Sequence, residues 1–126
     1  MKRIFDPISH FIELSAQEAA LLDLPELQRL RRLRQVGLAY LAYPSAEHTR
    51  FSHALGALAM GERVLEALRR HSGEYFSGSE DFDHQRKLLR IALLVHDVGH
   101  GPFSHACEAV LERSHESRTL DILSRP

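Results

Sequence analysis

The sequence predicts an all-α bundle of five or six helices with a minor N-terminal strand pair. Three observations carry this reading. Apolar residues recur at spacings of three, four and seven over the longest uninterrupted stretch, the mark of a helix with one buried face. Strand-forming patterns are confined to Arg3–Leu14 and one short stretch after Gly37. Residues that begin or stop helices, such as Pro25, Gly99 and Pro102, punctuate the rest. With 126 residues, 44% hydrophobic and 26% charged, the chain has material for one domain with a modest core.

The elements follow in order. "RIFDPISHFIEL" (Arg3–Leu14) mixes β-formers with an Asp-Pro turn signal and reads as a short strand pair. Ser15 and Glu18 are spaced as a capping box, so a helix is expected over Ala16–Asp23. Pro25 suits a first helical turn and opens a second helix to Gln35. "LAYLAYPSAEHTRF" reads as a short extended segment and a loop ending at Thr49, a possible N-cap. The longest helix is expected over Arg50–His71, with Phe51, Leu55, Leu58, Leu65 and Leu68 on its buried face. "HSGEYFSGSEDFDHQ" breaks it as a polar loop. A mostly buried helix then runs from Arg86 to Asp97, Gly99 stops it, and Pro102 starts another toward Glu112. A final helix covers His115–Leu123. There is no repeat or low-complexity segment.

Charge and cysteine content bound the function. Sixteen basic and 17 acidic residues leave a formal charge of −1, which gives no global pull toward nucleic acid or a membrane. The single cysteine, Cys107, excludes an internal disulfide and suits a reducing, cytoplasmic setting. It is expected in the core. "RLRRLR" has the look of a nucleic-acid patch, but Leu27, Leu30 and Leu33 make it an amphipathic helix with arginines facing water or acidic neighbours. His71 and His84 are expected on the surface, while His10 and His48 carry no assignment.

The anomaly is histidine. The chain has nine, and His96, His100, His105 and His115 crowd one region, where an aliphatic helix ends in "HDVGHGPFSH". Burying unpartnered imidazoles and a carboxylate costs several kcal/mol, roughly, so a bound group is expected there. His96 and Asp97 are adjacent at a helix end, about 100° apart around the axis, and reach one ion at the edge between their directions. His53, in the first turn of the long helix near Phe51 and Leu55, is the best third donor. Two imidazoles and a carboxylate suit zinc, iron or manganese, with nickel and cobalt not excluded. The plain alternative is a set of hydrogen-bonded core histidines.

These residues also carry a resemblance. "HD" after an aliphatic helix, with a histidine upstream, resembles the HD-domain metal-dependent phosphohydrolases. "LQRLRRLRQVGLAYLAYPSAEHTRFSHALG", then "LLVHDVGHGPFSHACE" and "HE", is similar to their deoxynucleoside triphosphate triphosphohydrolase branch, which includes bacterial dGTPases. The resemblance implies one HD domain over residues 1–126, His53, His96 and Asp97 as ligands of a divalent transition metal, and magnesium on the substrate phosphates. It further implies a His105–Glu108 catalytic dyad with His105 as proton donor and His115 in support. Arg50 and His100 would contact phosphate, and Gln35 the sugar 3′-hydroxyl. In the family a further aspartate lies far downstream. Asp121 is too close after "HE" to be that residue, so the domain is expected to be C-terminally incomplete, with weak metal binding and poor turnover. The family often reads DPIHG where this chain has "DPISH" (Asp6–His10).

The implied activity converts a dNTP to deoxynucleoside and triphosphate. A nucleotide or metal-binding fragment without activity, and a phosphohydrolase acting on another ester, are the alternatives. The expected partner is a nucleotide, with no membrane or nucleic-acid partner. An incomplete bundle exposes apolar surface and favours a homo-oligomer.

Overall fold

In the computed structural model, which describes residues 1–71 and 75–125 but not the side chains of Cys107, Ala109 and Leu111, the chain opens with a β-hairpin. Strands β1 (Lys2–Asp6) and β2 (His10–Leu14) pair antiparallel, Lys2 opposite Leu14 and Asp6 opposite His10. The Asp6 carboxylate accepts from the backbone amides of Ile8 and Ser9, which closes the turn that the Asp-Pro pair predicts. Alternation sends Ile12 and Leu14 into the core and leaves Phe5 and Phe11 exposed. The chain is therefore predominantly helical with a small antiparallel sheet, and all-α describes it only approximately.

Helix α1 (Ala16–Leu22) starts in the predicted capping box, with reciprocal bonds between Ser15 and Glu18. Helix α2 (Pro25–Gln28) starts on Pro25 but gives way to a 3₁₀ turn over Arg29–Arg32, so the predicted helix to Gln35 stops short. The competing force is strand-like pairing. Arg34 bridges Thr49 antiparallel, the Arg50 amide donates to Leu33 (2.8 Å) and the Gln35 amide to His48 (3.0 Å). The segment after Gly37, predicted to be extended, is instead a 3₁₀ turn over Gly37–Leu41. Gly37 is needed there, because its φ is +56° and a Cβ would come within 3.1 Å of the Phe103 carbonyl.

Helix α3 (Arg50–His71) has the predicted bounds. Thr49 and Ser52 cap it reciprocally, each hydroxyl accepting from the other residue's amide. Phe51, Leu55, Leu58 and Leu65 are buried, but Leu68 is not. Leu68 stands at i+8 from Met60 and i+4 from Val64, and this row faces outward. Helix α4 (Ser79–Val95) begins at Ser79 rather than Arg86, because the acidic run read as loop supplies Glu80 and Asp81 to its first turn. It is less buried than predicted, with Leu88 and Ile91 exposed, and it ends before His96 and Asp97, which lie in the turn beyond. Pro102 opens a turn instead of a helix, since Ser104 adopts φ 57°, and α5 covers only Ala106–Leu111. Helix α6 (His115–Leu123) has its predicted bounds and a Ser114 cap. Residues 72–74 of the predicted loop, and the predicted burial of Cys107, lie outside the described residues. Among the described residues no helix is long and apolar enough to cross a membrane.

The core gathers Ile12, Leu14, Leu22, Leu27, Leu30, Phe51, Leu55, Leu58, Leu94, Val95 and Val98. One buried polar network ties its edge together. All three nitrogens of the Arg90 guanidinium donate: Nε to Glu18 (2.6 Å), Nη1 to Glu62 (2.9 Å), and Nη2 to the Glu13 carbonyl (2.7 Å) and Glu18 (3.0 Å). Hairpin, α1, α3 and α4 thus meet on one side chain. Burial alone would raise the Glu18 carboxyl, but the Arg90 hydrogen bonds and the Ser15 amide outweigh it and hold it below its ordinary value. A depressed carboxyl contributes stability that is present above the unfolded pKa and lost as pH falls through the folded one. Glu18→Gln should therefore cost about 1.5–3 kcal/mol at pH 7 and flatten the acid limb of stability, read by chemical denaturation across the carboxylate range. An unchanged acid limb would contradict this account.

Candidate functional site

Four segments meet at the turn after α4. The antiparallel bridge from Arg34 to Thr49 brings Gln35 beside the start of α3, and the first turn of α3 carries Arg50 and His53, three residues apart and so on one face. The turn of residues 96–100 supplies His96, Asp97 and His100. It is clamped from both sides. Arg29 donates Nη1 to the His100 carbonyl (2.9 Å) and Nη2 to that of Val98. On the other side the Gly99 amide donates to Thr119 Oγ1 (2.9 Å), which donates onward to the His96 carbonyl (3.2 Å). Arg29 thus departs from the expectation that the arginines of "RLRRLR" face outward. Arg31 and Arg34 lie over Phe51 and Tyr40, both at 3.6 Å.

The three predicted ligands converge. His53 Nε2 and His96 Nε2 are 3.3 Å apart, His96 Nε2 is 3.3 Å from Asp97 Oδ1, and His53 Nε2 is 3.8 Å from Asp97 Oδ2. Around an ion with bonds of about 2.1 Å, neighbouring ligand atoms stand about 3.0–3.4 Å apart, so the trio fits one with small rotamer shifts. His96 Nδ1 lies 2.8 Å from the Leu93 carbonyl. A carbonyl only accepts, so Nδ1 carries the hydrogen and Nε2 keeps its lone pair for an ion, the arrangement usual for ligating histidines. Burial pushes the His53 imidazole down, which keeps that lone pair free as well. For Asp97 burial acts upward, but His96, Arg50, His100 and His53 together hold the carboxyl below its ordinary value, so the third donor is anionic. Asp121, by contrast, pairs with Arg113 at the surface.

Arg50 is 1% exposed and joins the two halves of the site. Nη1 donates to Asp97 Oδ2 (2.5 Å), while Nη2 donates to Ser104 Oγ (2.5 Å) and the Gln35 carbonyl (3.3 Å). Its Nε, Gln35 Oε1 and His100 Nδ1 are buried polar atoms without a partner among the described residues. Buried polar atoms left unpaired call for an explanation, and a polar ligand is one. Gln35, Arg50, Ser104 and His105 share the wall of a cavity of about 560 Å³, of the size that takes a small molecule.

Beside it lies the second histidine cluster. His105 Nδ1 and His115 Nδ1 both point at Glu108 Oε1, at 2.9 and 2.7 Å. These bonds, from His115 first, hold the Glu108 carboxyl below its ordinary value. His100 stacks on the His115 ring, centroids 3.9 Å apart, and its Nε2 is 3.5 Å from Asp97 Oδ1. Burial, then Arg50, push His100 down to about 4, so it is neutral at pH 7. The nine site residues read from the sequence, His53, His96, Asp97, Arg50, His100, Gln35, His105, Glu108 and His115, thus lie in one region. Missed were Ser104, Arg29 and Thr119. Ser104 at positive φ leaves no mark in sequence, Thr119 is an ordinary helical residue by pattern, and Arg29 is hidden among like neighbours.

With this geometry in view, the sequence profile of the HD domain matches residues 50–125. The chain belongs to the HD-domain family. HD domains bind divalent metals, and the His53, His96 and Asp97 donor set meets that requirement here. This HD domain is 40% identical over 116 residues to an uncharacterized protein of Methanocaldococcus jannaschii, covering 92% of this chain and 22% of that protein. It is 40% identical over 105 residues to deoxynucleoside triphosphate triphosphohydrolase SAMHD1 of Homo sapiens, covering 83% of this chain and 16% of that one. The crystal structure of a phosphohydrolase from Bacteroides thetaiotaomicron superposes with a TM-score of 0.83 at 38% identity, over 98% of this chain and 30% of the other. The chain therefore spans under a third of the length of these relatives.

Gly99 is the site's steric pivot. A Cβ there would stand 2.1 Å from the His115 carbonyl and 2.5 Å from the Thr119 amide, both backbone atoms that cannot swing aside. Gly99→Ala should cost at least the ~1–3 kcal/mol of an overpacked core and weaken metal binding with it, seen by calorimetry and equilibrium dialysis. Full retention of both would mean that α6 does not seat on this turn.

Proposed function

We propose that this HD domain serves a metal-dependent phosphohydrolase that converts a deoxynucleoside triphosphate to deoxynucleoside and triphosphate. The observation that carries the reading is that Arg50, which holds Asp97 of the three converging metal donors, lines a cavity together with Gln35 and His105, the residue paired with Glu108. The similarity to SAMHD1 supports the choice of substrate class.

When bound, a divalent ion held by His53, His96 and Asp97 supplies an acidified water and neutralises phosphate charge. The chain's own groups do the rest. Asp97 stays anionic and is aimed by Arg50. Arg50, with Nε unpaired, offers an N–H donor to the phosphates, and the neutral ring of His100, with Nδ1 unpaired, is the further phosphate contact. Gln35 presents its unpaired amide oxygen to the sugar 3′-hydroxyl. The reaction adds water at the α-phosphorus and breaks the bond to the 5′-oxygen, which needs a proton as it leaves. His105 is the donor: it is exposed at the cavity wall, and Glu108 on its Nδ1 orients the ring. His115 holds Glu108 from the other side.

Incubation with each dNTP and manganese or iron, followed by chromatography of the products, tests the reaction. Deoxynucleoside with triphosphate is expected, at a low rate, whereas monophosphate with pyrophosphate would overturn it. His105→Ala should lower turnover by about 10²- to 10⁴-fold while keeping one equivalent of ion at the His53–His96–Asp97 centre. Parallel loss of that ion would show His105 to be a ligand and not the acid.

A further inference from the structure

We propose that His105, Glu108 and His115 form a second divalent-cation site, of the kind that takes zinc, distinct from the His53–His96–Asp97 centre. Two imidazoles and a carboxylate are a common zinc set with room left for water. They come from the residue before α5, from α5 itself and from the first residue of α6, so the backbone fixes their convergence. Both Nδ1 atoms approach the same oxygen, Glu108 Oε1, at 2.9 and 2.7 Å. These separations are a few tenths of an ångström below the roughly 3.0–3.4 Å edges of a coordination polyhedron, a gap that side-chain rotation closes.

The deciding feature is His115, which has a carboxylate at each nitrogen. Nδ1 is 2.7 Å from Glu108 Oε1 and Nε2 is 3.2 Å from Glu116 Oε1. An imidazolium donates to both carboxylates, and a divalent cation can take the place of the proton at Nδ1. With the hydrogen on Nε2 facing Glu116, the Nδ1 lone pair and Glu108 Oε1 both ligate that cation, and Glu116 plays the part of the carboxylate that orients a ligating histidine from behind. The site is open to entry, since the side chains of His105 and Glu108 are 69% and 28% exposed. His100, stacked on His115 and facing Asp97, separates it from the first centre.

Occupancy has a consequence that rests on the function proposed above. An ion there takes the Glu108 oxygen and the His105 nitrogen that prepare the proton donor, so a second equivalent of zinc switches hydrolysis off. Binding itself does not depend on that reading. Zinc titration followed by calorimetry, with bound metal measured after dialysis, should give two equivalents for the unaltered chain. His53→Ala should keep one. His105→Ala, at an exposed side chain whose removal leaves the melting curve unchanged, and Glu108→Gln should also keep one, the other one. Glu116→Gln should weaken the second equivalent about 10- to 100-fold. A cobalt-loaded sample supplies an independent readout, because the visible spectrum of the second equivalent should vanish in His105→Ala. A single equivalent that His53→Ala abolishes and His105→Ala spares, or two equivalents undiminished in Glu108→Gln, would overturn the second site. A single equivalent with the opposite dependence would uphold it and count against the first centre instead.

Discussion

The burial of one guanidinium organises the site. Taking Arg50 out of water costs several kcal/mol, roughly, unless anions and carbonyls replace the lost hydration. Asp97 supplies the anion, and its carboxylate is the one that faces the imidazoles of His53 and His96. The position of the anionic donor is therefore set from behind by Arg50. The other arm of the guanidinium reaches Ser104 and the Gln35 carbonyl, which fastens the segment after α2 and the turn before α5 to the same point. Ser104 keeps a left-handed backbone to do this, a strain that persists because Arg50 and Gln35 both hold its hydroxyl.

The second buried arginine makes an instructive contrast. Arg90 has a partner on each nitrogen, and its hydrogen bond to Glu18 raises its guanidinium further. It is a closed structural joint. Arg50 has its Nε unpaired, and burial lowers it while Asp97 pulls it back. Two residues of one type and similar burial thus differ in what remains unsatisfied. Charge and burial alone would not have separated them.

What could be read in the sequence was what depends on local patterns. The capping box at Ser15 and Glu18, the stripe from Phe51 to Leu65 and the Thr49 cap of α3 are short-range, and each appears where spacing placed it. The ligand trio was legible because His53 and the His96–Asp97 pair sit at helix ends of opposite sequence position. Errors fell where a distant partner overrode propensity. The pairing of Arg34 with Thr49 stopped the helix predicted through Gln35. The left-handed Ser104 removed the first turn of the helix predicted from Pro102. Leu68 matched the buried period but belongs to the outer row with Met60 and Val64. The clamp on the turn after α4 was invisible for the same reason, since Arg29 and Thr119 act on carbonyls and an amide that no side-chain pattern reports.

The contacts of that clamp are long in sequence. Arg29 reaches 69 and 71 residues ahead, Arg50 reaches 47 to Asp97, and Thr119 reaches 20 back to Gly99. Loops of this size close late and at an entropic cost that single local helices do not bear. Helix α3 can therefore form early with His53 on it while His96 and Asp97 still lack any fixed relation to it. A chain emerging from the ribosome carries histidines but no chelating geometry until α6 has docked on the turn after α4. Metal capture is in that sense a report of completed folding, and the ion, once held, stabilises only the finished fold.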